Sequence, residues 1–176
     1  MTLTDLLIVG AGLSGVAAAR SASDAGASVR MFDRGRRIGG RMASRRLRDT
    51  GTAFDGRVVD YGASYFTVSD PDFREVVEAM IVEGVVRPWT DGFHVHNEGA
   101  MAGVRSGPVR YAAPGGLRTV VEFLARDLPE TTTETHVESV DVAADRVSVN
   151  GESGRSLALC MPQPQAERLL PSGTLP

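Results

Sequence analysis

Lysine is absent from this sequence: all 19 basic residues are arginine. The absence excludes a Walker-type phosphate lysine and any Schiff-base lysine within the chain. A genome biased toward arginine codons accounts for it without a functional cause. Cysteine is nearly absent too. Cys160 stands alone, so no intrachain disulfide framework can form, which suits a reducing cytoplasm. Excess charge is lacking as well: a net charge of −3 provides neither the basic field that draws nucleic acid nor a polybasic membrane patch. Nor is there a long unbroken apolar run. The stretch from Leu3 to Ala19 carries Asp5 where a secretion signal has basic residues, and Gly10, Gly12 and Gly15 interrupt it. It reads as a buried strand followed by a helix, not as a signal or a membrane span. Internal repeats and low-complexity linkers are missing, and 176 residues suffice for one domain with a core, or one domain and part of another.

What is present alternates strand and helix. Asp5–Val9 is a continuous apolar run ending in glycine, as expected of a parallel strand covered on both faces. Leu13–Ala25 reads as a helix stopped by Gly26, and Ala27–Asp33 as a second strand, giving a right-handed βαβ unit. Gly35–Arg48 is dense in arginine and glycine, and Val58–Phe66 reads as a strand entering a glycine turn. Asp70-Pro71 opens a helix to about Glu83, with Phe73, Val76, Val77, Met80 and Ile81 on one face. Short strands follow at 85–89, 93–99 and 109–113. Pro114-Gly115-Gly116 then opens a second helix, Leu117–Leu128. Strands at His136–Val142, Arg146–Val149 and Ser156–Met161 come next, the first two joined by a hairpin at Ala144-Asp145. A helix from Gln163 to Leu170 and a weak PSGTLP tail end the chain.

The segment Gly10-Ala11-Gly12-Leu13-Ser14-Gly15 fits the G-x-G-x-x-G fingerprint. Gly10 permits the tight turn off the strand, Gly12 lets backbone approach a pyrophosphate, and Gly15 lets the helix pack on the strand. The helix amino terminus offers free N–H groups and the positive end of its dipole to phosphate. A hexapeptide of this kind arises by chance, and its plain alternative is a structural turn. Context decides: it lies between strand and helix, and Asp33 ends the next strand 23 residues after Gly10, placed for ribose hydroxyls. Asp33 taken alone also fits a surface acid at a strand end. The fingerprint leaves FAD and NAD undivided, since both contain an ADP-ribose half.

The following segment separates them. Arg37-Ile38-Gly39-Gly40-Arg41-Met42-Ala43-Ser44 resembles the R-x-G-G-R-x-x-S/T motif of the flavin-containing amine oxidase superfamily, which lies along the FAD pyrophosphate. Two glycines let amides approach, and Arg41 supplies charge-assisted hydrogen bonds. Asp60-Tyr61-Gly62-Ala63-Ser64-Tyr65-Phe66 resembles the D-x-G-A-x-x-F segment whose backbone passes the isoalloxazine ring. With the FTVSDPDF helix start, VVRPW, Arg110-Tyr111 and Pro114-Gly115-Gly116-Leu117, the order is similar to the renalase-like branch over nearly the whole chain. Tyr61 and Ser64 depart from the His and Gln of many relatives. Thr135-His136-Val137 resembles the strand that lays a valine backbone against adenine; an ordinary sheet valine is the alternative.

The resemblance implies an α/β fold: a Rossmann-type FAD-binding domain with part of an inserted β-rich substrate domain. It divides the chain into a first FAD-binding part at 1–66, a substrate-domain portion at 67–113 and a return to the FAD-binding domain at 114–176. It implies FAD as cofactor, held by Gly10, Ala11, Gly12, Leu13, Ser14, Gly15, Asp33, Arg34, Gly39, Gly40, Arg41, Met42, Gly62, Ala63 and Val137. The implied reaction is hydride transfer to flavin from a reduced amine or a nicotinamide-type donor such as NAD(P)H. A nonenzymatic FAD- or ADP-binding module and an inactive remnant are the alternatives. Family members continue past the LALCMPQPQAERLL segment, so the resemblance covers their amino-terminal part only. It implies a truncated product, a fragment or one half of a split protein, completed by another polypeptide or an oligomer.

Other residues are set aside. His94 and His96 alternate along a strand and share a face, but no further ligand has metal spacing with them. Trp89 and Phe93 are expected as core or pocket wall rather than a stacking platform. Cys160 reads as a buried thiol and not a nucleophile. No residue qualifies as a general base, and the catalytic residues are unknown at this level.

Overall fold

The computed structural model describes residues 3–170. In chain order the elements begin with β1 (Thr4–Val9), α1 (Leu13–Asp24), β2 (Val29–Phe32), a single 3-10 turn at Gly40–Met42, β3 (Ser44–Arg46) and β4 (Val58–Asp60). They continue with β5 (Phe66–Thr67), α2 (Pro71–Val82), β6 (Arg87–Asn97), β7 (Ala100–Ala112) and α3 (Arg118–Leu124). The last are β8 (Val140–Val142), β9 (Val147–Val149), β10 (Glu152–Leu159) and α4 (Gln163–Ala166). The fold is mixed α/β, as expected. Two compact units divide the chain: one runs to Arg41 and resumes at Leu124, the other comprises Met42–Phe123. The segments expected at 1–66 and 114–176 are therefore each shared between the units.

The first unit is built on a five-stranded sheet of order β2-β1-β10-β9-β8. Its centre is parallel: β1 pairs with β2 on one edge and with β10 on the other. Leu7, Ile8 and Val9 of β1 are buried, which is why that strand reads as an unbroken apolar run instead of alternating. α1 makes the crossover from β1 to β2 and buries Gly15, Val16 and Ala19. β9 and β8 add antiparallel, with the expected hairpin between them. Leu7, Val9, Phe32, Val137, Val140 and Val149 form one core cluster. The strand expected from His136 starts only at Val140. Upstream of it, the chain at Thr132 bridges to Phe32 in parallel, so the sheet hydrogen bonding of this segment falls at 132–135 and not at 136–139.

In the second unit, β3 and β4 pair antiparallel, Ser44 opposite Asp60. The strand expected at Val58–Phe66 is split. Asp60 Oδ1 accepts the Leu117 N–H at 2.8 Å, which holds the chain at the end of β4, and Phe66 then joins a different sheet. That sheet has the order β5-β7-β6. The separate short strands expected at 93–99 and 109–113 belong instead to one long hairpin, closed by Glu98-Gly99, both at positive φ. A two-residue loop with two positive φ values matches the right-handed twist of the flanking strands. α2 forms as expected: Asp70 caps it by accepting the Phe73 N–H, and Val77 and Met80 are buried. Ile81, expected on the same face, is exposed. Trp89 and Phe93, expected as core or pocket wall, are not core. They are 47% and 37% exposed and meet edge to face.

Candidate functional site: a dinucleotide cradle

The three parallel strands of the first unit run the same way, so their carboxyl ends lie together at Gly10, Asp33 and Cys160. Ligands of open α/β sheets bind beyond such ends. Gly10 donates its N–H to the Phe32 carbonyl at 2.8 Å, and Cys160 donates to Val9 at 2.8 Å, tying both neighbours to the end of β1.

The chain then turns into α1. Gly12 is the N-cap, and with no side chain of its own it leaves the first helical N–H groups uncapped. Leu13 and Ser14 are exposed on this first turn, whereas Ala11 and Gly15 are buried. A Cβ on Gly15 would collide with the Gly10 carbonyl oxygen, so only glycine lets the helix start this close to the strand end.

The two glycine motifs meet here. Gly39 donates its N–H to the Ala11 carbonyl at 2.9 Å, and Gly12 bridges to Gly39 in parallel. Gly40 follows at φ +52°, and a Cβ there would lie 3.0 Å from the Gly12 Cα. By contrast, the nearest atom to a Cβ on Gly12 itself is 3.6 Å away. Backbone thus lies against backbone, and the space before Gly12 stays clear.

Asp33 closes the arrangement. Its Oδ2 accepts the Ala11 N–H at 2.6 Å and its Oδ1 accepts the Gly35 N–H at 2.7 Å. An ionised carboxylate has about four acceptor positions, so capacity for hydroxyl donors remains. The Asp33 backbone is pinned from the other side: its N–H donates to Thr132, and its carbonyl accepts from Thr135, both at 2.9 Å.

Of the residues singled out in the sequence, Gly10 to Gly15, Asp33, Gly39 and Gly40 are brought together. Arg34 and Arg41 are exposed in the same unit. Val137 is in this unit too, with its side chain in the core cluster, two residues past the one bonded to the Asp33 carbonyl. Met42, Gly62 and Ala63 belong to the second unit. Met42 is buried, and Gly62 and Ala63 lie in the exposed segment between β4 and β5.

Sequence reasoning missed three contributors. Thr132 braces β2, and the Cys160 carbonyl stands 2.7 Å from where a Gly10 Cβ would be. Burial pushes the half-buried Cys160 thiol up, so it stays protonated at neutral pH. In the second unit Arg118, buried, donates to the Ser44 carbonyl at 2.8 Å at the end of the R-x-G-G-R-x-x-S run. Only the apolar setting of Cys160 was legible beforehand. Among the described residues no group of three or more potential ligands could hold a metal ion, and the exposed His94 and His96 gain no third partner. No helix of the described residues is long and apolar enough to cross a membrane.

A parallel sheet with a glycine-rich strand-to-helix turn and an acid at the next strand end defines a dinucleotide-binding domain of Rossmann type. Residues 8–80 match the NAD(P)-binding Rossmann-like domain family. Among solved structures, the chain is similar to wild-type putrescine oxidase bound to putrescine (TM-score 0.70, 14% identity), with 96% of this chain and 60% of that chain covered. It is also similar to a protein from Exiguobacterium sp. 255-15 described as a candidate protoporphyrinogen oxidase (TM-score 0.73, 15% identity, 98% and 62% covered). At these identities the likeness is one of fold. The chain spans about 60% of the length of the putrescine oxidase structures it matches.

Proposed function

We propose that the chain is the FAD-gripping part of a flavin-dependent oxidoreductase of the amine oxidase superfamily, nearest its renalase-like branch. The observation that carries this is the bridge between Gly12 and Gly39. It sets the G-x-G-x-x-G turn and the R-x-G-G-R run side by side, and NAD domains need only the first of these. The residues fit a pyrophosphate: the space before Gly12 is clear, the helix start is uncapped, and Arg41 is exposed nearby in sequence. Asp33 would hold the ribose, and the backbone at Val137 the adenine. Bound there, FAD supplies the electron acceptor for oxidation of a reduced amine or nicotinamide-type donor. The first unit's own work is to bind and orient. Flavin contacts beyond these residues would come from chain outside this sequence, a complementing polypeptide or an oligomer, in a cytoplasmic setting that suits the single thiol. Neither nucleic acid nor membrane is a partner.

The test is the visible spectrum and thermal stability of the purified chain with and without FAD. A flavin band and an FAD-dependent rise in melting temperature are expected. Gly12→Ala sharpens it. The protein itself accommodates the new methyl, so stability should change by less than about 1 kcal/mol, while FAD affinity falls about tenfold or more. Unchanged affinity in a folded Gly12→Ala chain sinks the cradle assignment. If FAD binds, anaerobic reduction by NADH, its isomers or an amine panel separates an enzyme from a nonenzymatic binding module.

A further inference from the structure

The two faces of the β5-β7-β6 sheet differ. On one, Phe66 stacks on Tyr111 with centroids 5.5 Å apart and meets Phe73 of α2 at 6.0 Å, so the helix covers that face. On the other, an antiparallel sheet ordinarily carries polar residues toward water. Here it carries three rings instead. Tyr65 lies 6.0 Å from Trp89 and 5.9 Å from Phe93, and Trp89 lies 5.7 Å from Phe93. Tyr65 is 41% exposed, so all three rings leave a large part of their surface in water.

The strand beneath this cluster is irregular. The register shifts between Pro88 and Thr90 and again between Thr90 and Gly92, and the Thr90 hydroxyl bonds the Gly92 carbonyl at 2.8 Å across the bulge. Trp89 and Phe93, four residues apart on β6, fall on one face by simple alternation, and the irregular register around Thr90 lies between them.

A cation stands among the rings. The Arg110 guanidinium is 4.2 Å from the Phe93 centroid and 5.7 Å from that of Tyr65. Arg110 Nε is shielded from solvent and has no hydrogen-bond partner, and Nη1 makes one long bond, 3.3 Å, to the Pro108 carbonyl. No carboxylate among the described residues pairs with it. Gly107 leaves the Nη2 edge open, since a Cβ there would sit 3.4 Å away. A second arginine, Arg105, stands directly opposite Phe93 in the ladder. Three rings without a cation would attract an ammonium group; with a guanidinium already stacked on them, a further cation is repelled and an anion is drawn.

We propose that this patch is a binding site for a planar aromatic carboxylate, its ring against Trp89 and Tyr65 and its carboxylate accepting hydrogen bonds from Arg110. The site lies wholly within the second unit and does not depend on the FAD reading.

Trp89 is the only tryptophan of the chain, so its fluorescence reports this site directly. The full chain, without FAD, is titrated with benzoate, cyclohexanecarboxylate and benzylamine at fixed ionic strength. Benzoate should change the emission saturably, cyclohexanecarboxylate should bind several-fold more weakly, and benzylamine should not saturate. Arg110→Gln should weaken benzoate about tenfold, as loss of a charged hydrogen-bond donor does. Arg110→Lys, which keeps the charge and loses the planar fork, should fall between, with circular dichroism checking the fold of both. Benzylamine matching benzoate, no benzoate response in the unmodified chain, or an Arg110→Gln chain that is folded and binds normally each overturns the proposal. So does an emission that shifts with protein concentration and ignores benzoate, which means that a second copy covers the face. Because FAD is absent throughout, failure here leaves the flavin reading untouched, and the reverse holds too.

Discussion

Strand β1 in the first unit and the β6–β7 hairpin in the second are both made of β-structure, yet they are held by different forces. β1 is hydrogen-bonded on both edges, and Leu7 and Ile8 are fully buried. Along β7 every residue from Ala100 to Val109 is exposed, and on β6 only Thr90 and Gly92 are partly covered. The first is fixed by burial, so its backbone geometry has no slack, and Gly10 and Gly15 at its end are obligatory. The second is fixed by its ladder and by contacts among its own side chains. What the hairpin loses in core contacts it keeps as free aromatic surface.

The sharpest way to break this comparison is at Gly15. A methyl there meets the Gly10 carbonyl, which is backbone and cannot swing aside. Gly15→Ala should cost about 4 kcal/mol or more, the range reserved for severe lesions, and abolish FAD binding through the fold. Chemical denaturation checks the first and FAD titration the second. Gly12→Ala, three residues away, should lose only the ligand. A stable Gly15→Ala chain would show that the strand end relaxes, and the rigidity ascribed to the first unit would fall.

A smaller contrast compares side chains of like chemistry. Leu7→Ala empties a fully buried site and should cost about 2–5 kcal/mol. Val104→Ala trims a residue 63% exposed on β7 and should stay within about 0.5 kcal/mol. Denaturation midpoints of the two variants decide. A costly Val104→Ala would mean that a partner or second copy packs on the hairpin.

The same contrast explains what the sequence disclosed. Gly10 to Gly15 and Asp33 were legible because each position meets one backbone requirement, and such requirements survive any detail of packing. The β1-α1-β2 order was legible because burial on both faces leaves an unmixed apolar run. The long hairpin was hidden because Pro88, Gly92, Gly99, Gly103, Gly107 and Pro108 punctuate it, and breakers ordinarily end strands. Here Pro88 and Gly92 sit at register shifts or beside them, on the edge strand β6, where the ladder tolerates them. The exposed setting of Trp89 and Phe93 was illegible for a different reason: large rings are ordinarily inside, and no local signal tells that this face of the hairpin is left uncovered. Thr132 carried no local signal at all, since its role depends on a pairing with Phe32 a hundred residues earlier.

The smallest expected effects compare two aspartates. Asp5 accepts from both the Ser28 hydroxyl and the Ser28 N–H, and Arg155 lies 3.2 Å away. The Ser28 hydroxyl above all holds its carboxyl below the usual range. Asp55 is lowered likewise, first by the Thr50 hydroxyl. A group with a depressed folded pKa stabilises above its unfolded value, near 4, and that contribution disappears as the pH falls through the folded value. The gap in urea midpoint between the native chain and Asp5→Ala should therefore be wider at pH 7 than at pH 3, and the same sign holds for Asp55→Ala. The sizes should differ. Asp5 ties the start of β2 to β1 across 23 residues, whereas Asp55 closes a loop of 5. Joining distant segments constrains the chain more than tightening a local turn. Asp55→Ala should thus shift the midpoint less than Asp5→Ala at pH 7. An equal shift would mean that the loop before β4 bears on the stability of the second unit as strongly as the strand pairing bears on the first.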